Sequence, residues 1–235
     1  MKLNIIRSAE RGYFDHDWLK THHTYSFAEY YNPERMGFGK LRVFNDDFVA
    51  PGYGFGSHPH KNMEIISIPL HGSINHKDNF GHNDIIAPGE IQLMSAGTGI
   101  YHSEFNASDS DSLNFLQIWI IPDKMEIRPS YGKKSFGKES LKNSFRLIAS
   151  PYNIQDSLFI NQDAYIYLAD IEDGYKVEFT LNNPRNGVFL FVIGGKARIG
   201  ESILGDRDSA EITGTENIKL YAEQDCSLLF IEVPV

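Results

Sequence analysis

Short runs of β-branched and aromatic residues recur along the chain, each bounded by Gly, Pro, Asn or Asp. Such runs are typical of β-strands separated by turns. No long stretch repeats apolar residues at the roughly 3.6-residue period of an amphipathic helix, and helical turns fit only within Ser8–Trp18 and Phe27–Tyr31. The pattern predicts an all-β protein, a barrel or a sandwich. The clearest predicted strands are Leu41–Phe44, Glu64–Leu70, Ile91–Met94, Phe115–Ile121 and Val188–Ile193.

A faint internal repeat predicts two similar units. Residues 65–72 and residues 188–195 both form an apolar strand pattern that ends in glycine, at Gly72 and at Gly195. Between the two copies, residues 124–144 are polar and rich in lysine, which is typical of a linker. We therefore predict a first barrel over residues 1–123, a linker over 124–145 and a second barrel over 146–235.

Composition narrows the functional classes. The 22 basic and 31 acidic side chains give a net charge of −9, which argues against direct contact with nucleic acid. The single cysteine, Cys226, excludes an intrachain disulfide, fits a reducing compartment and lies in an apolar run typical of a buried strand. The apolar run of Met1–Arg7 is too short for a signal peptide, and no run approaches the roughly 18 apolar residues of a membrane-spanning helix. We expect a cytoplasmic monomer without membrane contact.

The histidines carry the candidate chemistry, because all nine lie between His16 and His102. His58 and His60 are separated by one residue, as are His102 and Glu104. On an extended strand each such pair projects from one face, with Cα atoms roughly 6.5 Å apart. Two neighbouring strands would therefore surround one point with three imidazoles and one carboxylate. This donor set suits a divalent Fe, Mn, Co, Ni, Cu or Zn ion and leaves coordination positions open for chemistry.

Two glutamates compete for the carboxylate position. Strand parity places Glu104 on the same face as His102. Glu64, four residues after His60, reaches the face of His60 only if the strand continues without interruption through residues 61–63. We favour Glu104 as the metal ligand, and we expect Glu64 to contact the ligand side chains without binding the ion itself. In the repeat alignment His58 and His60 stand opposite Leu181 and Asn183, so the second unit is predicted to lack the metal site.

The remaining histidines are weaker candidates. His22 and His23 are adjacent, so on a strand they point to opposite faces and do not easily bind one ion. His76 is a candidate for the rim of the site. Surface or packing positions are expected for the others, which are His16, His71 and His82.

Two segments resemble known family motifs. Residues 52–64, GYGFGSHPHKNME, resemble the first cupin motif, and residues 88–106, PGEIQLMSAGTGIYHSEFN, resemble the second. Together with HKD at 76–78 and QIW at 117–119, they make the chain similar to the pirin family, in particular its bacterial flavonol-dioxygenase-like members. Gly97 stands where generic cupins commonly have proline, and this departure is itself pirin-like. The resemblance is strongest over residues 22–122 and weaker over the rest.

The resemblance implies a fold, a metal and an activity. The fold is a bicupin, two tandem β-barrels with metal in the first one only, and the implied ligands are His58, His60, His102 and Glu104. Iron is the first choice among the divalent ions. The implied activity is the opening of flavonols such as quercetin by dioxygen with release of carbon monoxide, and Glu104 or Glu64 is the candidate proton acceptor. Side chains expected around a flat substrate are Met63, Ile100, Phe105 and Gln117.

Two other functions stay open at this stage. Some members of the family resemble regulators that bind protein partners, with the oxidation state of the iron setting the affinity. The same four ligands would also serve a cupin isomerase or lyase that needs only a Lewis acid. An oxygenase, unlike these alternatives, must be inactive without dioxygen.

Overall fold

The computed structural model describes residues 1–152, 154 and 156–235, and it divides the chain into two compact β units. The first unit comprises Gly12–Phe136 and Leu158–Gln162. Its strands are β2 (Gly12–Asp15), β3 (Leu19–His23), β4 (Leu41–Val49), β5 (Gly54–His60), β6 (Glu64–His71), β7 (Ile74–Asp78), β8 (Asn83–Ile86), β9 (Glu90–Ser95), β10 (Ile100–Asn106), β11 (Leu113–Ile120), β12 (Ser130–Ser135) and β14 (Leu158–Phe159).

The second unit comprises Met1–Arg11, Gly137–Ser157 and Asp163–Val235. Its strands are β1 (Lys2–Ile6), β13 (Arg146–Ser150), β15 (Tyr165–Ile171), β16 (Lys176–Thr180), β17 (Asn186–Gly194), β18 (Ala197–Ile199), β19 (Ser202–Leu204), β20 (Ser209–Thr213), β21 (Asn217–Ala222) and β22 (Cys226–Pro234). The described residues form only two short helices, both 3-10, at Ser8–Glu10 and Lys138–Leu141. The prediction of an all-β protein is confirmed.

Each unit has a large antiparallel sheet and a small one. In the first unit the large sheet has the order β12-β9-β6-β11-β4-β3-β2 and the small sheet β5-β10-β7-β8. One apolar cluster of this unit contains Leu19, Val49, Ile74, Ile86, Leu113 and Phe115. These residues come from both sheets, so the core lies between them and the small sheet is held against the large one.

The second unit repeats this arrangement. The strands β20-β17-β22-β15-β13 follow one another in its large sheet, and β16-β21-β18-β19 form its small sheet. The order matches β9-β6-β11-β4-β3 and β5-β10-β7-β8 of the first unit, strand for strand. The strands that correspond to β5 and β10 are therefore β16 and β21, whose sequences KVEFT and NIKLYA contain no histidine. The second unit thus repeats the scaffold without the histidines.

Residues 158–162, predicted in the second barrel, belong to the first unit, and two strands also lie outside the segments predicted for them. Residues 1–11, predicted in the first barrel, lie in the second unit, where β1 pairs with β20 and Leu3 and Ile5 pack on the apolar core. Residues 130–135, predicted as linker, form β12 and pair with β9 in the first unit. The places of these two strands, β1 and β12, arise from backbone pairing over long sequence distances, which local composition does not report.

Cys226 lies in β22 and is 5% exposed. Burial raises the pKa of its thiol to about 11, so the side chain is a neutral packing group at physiological pH. This confirms its predicted position in a buried strand. Among the described residues, no helix has the length and apolar character needed to cross a membrane.

Candidate metal centre

Strands β5 and β10 bring three histidines together. The two strands are antiparallel, with His102 directly opposite His58 and Ile100 opposite His60. The Nε2 atoms of His58 and His102 are 3.0 Å apart, and the ring centroid of His60 is 4.8 Å from each of the other two rings. The ligand atoms of the three imidazoles all lie within 4.8 Å of one another. The structure therefore groups the three predicted histidines at one point.

The protonation of these imidazoles favours metal binding. Nδ1 of His58 lies 2.7 Å from the carbonyl oxygen of Gly56, and since a carbonyl only accepts, Nδ1 carries a proton and Nε2 is the ring nitrogen that faces His102. Burial, followed by the neighbouring histidines, lowers the pKa of His60 to about 3, and burial with His58 and His76 lowers that of His102 to about 3. Both rings are neutral at physiological pH and offer a nitrogen lone pair.

Glu104 lies on the same strand face as His102 but in a second, overlapping group. The register of the pairing with β5 shifts between the two residues. The carboxylate of Glu104 lies with His102 and His76, and the ligand atoms of these three residues are all within 4.8 Å of one another. Ser67 Oγ donates to Glu104 Oε1 at 2.8 Å, and Gln117 Nε2 donates to Oε2 at 2.6 Å. Glu104 is only 3% exposed, and these two hydrogen bonds hold its buried carboxylate in place.

The residues present fit a divalent transition metal. Two imidazole Nε2 atoms only 3.0 Å apart need a proton or a cation between them, and the region offers imidazole and carboxylate donors without a thiolate. His102 belongs to both groups, so the two candidate sets of metal-binding residues share one imidazole. His76, predicted at the rim, instead is fully buried and interacts with Gln92 and Asp78.

A cavity of about 220 Å³ adjoins the histidines. The sequence analysis predicted four of the residues that line it, three as metal ligands and Gln117 as a substrate contact. It missed the other five. The missed residues are Phe27, Asn45, Asp47, Phe55 and Trp119, and the others are His58, His60, Glu104 and Gln117. The polar run Asn45-Asp46-Asp47, flanked by Phe44 and Phe48 in strand β4, was the available signal. The aromatic residues come from three separate segments and left no such signal.

Three predicted substrate contacts do not line this cavity. Ile100 is 1% exposed and belongs to an apolar cluster on which Met63 packs. Phe105 is 38% exposed because it projects from the opposite face of β10 to Glu104. Proximity in sequence to the motifs was a poor guide, since alternate strand residues face opposite ways.

Glu64 takes part in a different set of contacts. It is 1% exposed, its Oε2 accepts from Ser95 Oγ at 2.7 Å and from the backbone N–H of Asn161 at 3.1 Å, and it does not line the cavity. Burial raises the pKa of its carboxyl. The structure therefore places Glu64 as a link between β6, β9 and the segment at Asn161.

The remaining histidines lie outside the three-histidine group. His22 is half-buried and His23 buried, on opposite faces of β3, and burial lowers the pKa of His23 to about 4. His82 stacks on Tyr131 and hydrogen bonds to Asp78. His71 and His16 are exposed.

Gly97 shapes the turn that leads into β10. A Cβ at this position, where φ is +47°, would lie 2.1 Å from the carbonyl oxygen of Ile127. We expect Gly97→Ala to displace the turn, lower the melting temperature and reduce the bound metal per chain, as measured by calorimetry and metal analysis. The matched control is Gly137→Ala, where no atom lies within 4 Å of the added Cβ. Equal behaviour of the two variants would contradict the role of this turn.

Fold and site together define a class of protein, the bicupins, and among the described residues the metal-capable groups lie in the first unit. Residues 5–120 match the family model Pirin, and residues 147–233 match the model for the quercetinase C-terminal cupin domain. The chain belongs to the pirin family, as its motifs predicted.

Relatives and solved structures support this assignment over the whole chain. Quercetin 2,3-dioxygenase of Escherichia coli (strain K12) is 38% identical over 231 residues, 98% of each protein. A pirin-like protein of Caulobacter vibrioides is 38% identical over 93% of this chain and 94% of its own. The crystal structure of a bacterial pirin from Escherichia coli in complex with nickel(II) has a TM-score of 0.94 and 36% identity, and the match covers 99% of both chains.

Proposed function

We propose that this protein is a metal-dependent dioxygenase that opens flavonols such as quercetin with dioxygen and releases carbon monoxide. The observation that carries the proposal is the group of three histidines, two of which, His58 and His60, line a cavity that also has aromatic walls. The quercetin 2,3-dioxygenase of Escherichia coli, similar over nearly its whole length, supports the same reaction.

The proposed ligands are His58, His60, His102 and Glu104, and the proposed ion is iron. Such an ion supplies Lewis acidity toward a bound oxygen atom and a route for dioxygen chemistry. The hydrogen bonds from Ser67 and Gln117 to Glu104 hold the carboxylate in one orientation, which prepares the site for the ion.

The chain itself positions a flat substrate. Phe27 and His60 each pack edge-on against Trp119, with ring centroids 5.3 and 4.8 Å apart, and Phe55 lines the same cavity. These side chains offer apolar contact to an aromatic ring and exclude water from the reacting edge. We therefore propose that they orient the ring toward the histidines.

The direct test is oxygen uptake by purified protein of known metal content, with and without quercetin. We expect oxygen consumption and carbon monoxide release that depend on quercetin, and no turnover under anaerobic conditions. Turnover that persists without dioxygen would contradict the proposal and favour an isomerase or lyase. Full metal occupancy without oxygen uptake would also contradict it and favour a regulator that binds protein partners.

We propose that the protein is located in the cytoplasm and is a monomer. A single buried cysteine is compatible with a reducing compartment. Quercetin serves as the probe for the proposed flavonol-like substrate.

A further inference from the structure

Strand β4 presents two buried polar side chains to the cavity. Asn45 and Asp47 are two residues apart, so they project from the same face of the strand. They are 2% and 4% exposed, and both line the cavity beside the histidines. Burial of polar groups at a cavity wall is costly unless they receive hydrogen bonds. Two such groups side by side therefore indicate that a polar partner binds in the cavity.

The hydrogen bonds of the pair are incomplete. Oδ1 of Asn45 is buried and has no hydrogen-bond partner among the described residues. Thr21 Oγ1 donates to Oδ1 of Asp47 at 2.5 Å, which leaves the second carboxylate oxygen for another donor. A ligand hydroxyl in the cavity would supply the missing donor.

The other candidate proton acceptors are already engaged. Both oxygens of Glu104 accept hydrogen bonds from the protein, and Glu104 is the proposed metal ligand. Glu64 is bound by Ser95 and Asn161 and does not line the cavity. Of the carboxylates that line this cavity, Asp47 is the one with a free oxygen.

The environment of Asp47 suits proton exchange near neutral pH. Its pKa is raised to about 7, chiefly by burial, while the Thr21 hydrogen bond lowers it and the charges of Asp46 and Glu104 raise it. The cavity also contains His58 and His60. A carboxylate with such a pKa accepts and returns a proton readily at physiological pH.

We propose that Asp47 accepts the proton of the reacting substrate hydroxyl, while Asn45 hydrogen bonds to the same edge of the substrate and orients it. The inference rests on the proposed function and concerns the same cavity. It assigns the acid–base role to a residue of β4 in place of Glu104 or Glu64.

The step is balanced as a proton transfer. The O–H bond of the substrate breaks, its electron pair stays on the substrate oxygen, and the proton forms a new O–H bond on the Asp47 carboxylate. The substrate leaves this step as an anion and Asp47 as a neutral acid. After dioxygen has been incorporated and carbon monoxide lost, the proton returns from Asp47 to the anionic product. Asp47 itself is neither oxidised nor reduced.

The test compares Asp47→Asn with the matched variant Asp46→Asn. Asp46 is also buried in β4, but it projects from the opposite face, accepts from Asn114 Nδ2 at 2.9 Å and does not line the cavity. We expect Asp47→Asn to lower kcat/KM for quercetin by about 100-fold, a typical contribution of a general base. Asp46→Asn is expected to keep kcat/KM within a few-fold of the wild type. Equal metal content in both variants separates this effect from loss of the ion.

A second readout does not depend on turnover. Under anaerobic conditions, the absorption spectrum of bound quercetin reports whether its hydroxyl is ionised. We expect an ionised ligand in the wild type and in Asp46→Asn, and a neutral ligand in Asp47→Asn. The milder variant Thr21→Val removes a bond that lowers the pKa of Asp47. It should therefore shift the acid limb of the kcat/KM profile to higher pH.

The outcomes separate this inference from the proposed function. If the wild type consumes oxygen but Asp47→Asn matches Asp46→Asn in rate and spectrum, the role of Asp47 is overturned and the dioxygenase stands. If the wild type binds quercetin without oxygen uptake, the dioxygenase fails, and the anaerobic spectra alone decide for or against Asp47. Failure of the wild type to bind quercetin overturns both. An unshifted pH profile in Thr21→Val also counts against Asp47.

Discussion

Replacing His60 by alanine is expected to abolish both metal retention and quercetin-dependent oxygen uptake. The three imidazoles at this centre lie with ring centroids 4.5 to 4.8 Å apart, so each contributes to a single point. Loss of one neutral donor leaves His58 and His102 as the remaining nitrogen ligands. We expect metal affinity to fall by at least about 100-fold, more than the 10–100-fold typical of losing an outer partner.

Two measurements check this expectation. Metal analysis after dialysis gives the ion retained per chain, and an oxygen electrode gives turnover with quercetin. His71→Ala is the matched control, because His71 is exposed beside the turn after β6 and lies outside both ligand groups. A His60→Ala protein with a full complement of metal and wild-type turnover would refute the proposed centre.

Replacing Glu232 by alanine is expected to destabilise the second unit severely. Glu232 is fully buried in the central strand β22, where its carboxylate accepts from the backbone N–H groups of Asn182 and Asn183 at 2.9 Å each. The side-chain amides of Asn182 and Asn186 also donate to it, at 2.8 and 3.2 Å. Alanine leaves these donors unsatisfied, and we expect a loss of about 3 kcal/mol or more in the free energy of unfolding.

Calorimetry of the purified variants measures this loss. A change of this size lowers the melting temperature of a unit of this length by roughly 10 °C or more. Glu232→Gln should lie between the wild type and Glu232→Ala, because one oxygen still accepts while the new NH₂ faces another donor. Glu216→Ala, at an exposed turn, is the control and should melt as the wild type does. A Glu232→Ala transition at the wild-type temperature would show that the four hydrogen bonds contribute little.

The local pattern of apolar and polar residues was sufficient to predict the strands, and the local motifs were sufficient to predict the pirin family. The five clearest predicted apolar runs all fall in strands, except that Ile121 lies just beyond the end of β11. Strand parity also anticipated which histidines meet, because His58, His60 and His102 need only two extended neighbours to converge. The family assignment followed from motifs within residues 52–119, and the comparisons bear it out.

Other features depend on contacts between distant segments. Asn45 and Asp47 lie in a strand with no motif, and they reach the cavity only because β4 pairs with β11 in the large sheet. Phe27 and Trp119 come from segments far apart in sequence but pack edge to edge. Residues 1–11 and 130–135 belong to units that local composition does not predict, because pairing with β20 and β9 places them there.

The sequence by itself determined the all-β class, the two similar units and the three histidines that converge. These features are encoded in alternation and spacing within single strands, which the two-residue period of the β conformation makes readable. The tertiary structure alone decided which carboxylates are engaged, which face the cavity and which aromatic rings surround it. Those properties depend on hydrogen-bond partners and burial across strand pairings, and local sequence carries no record of them.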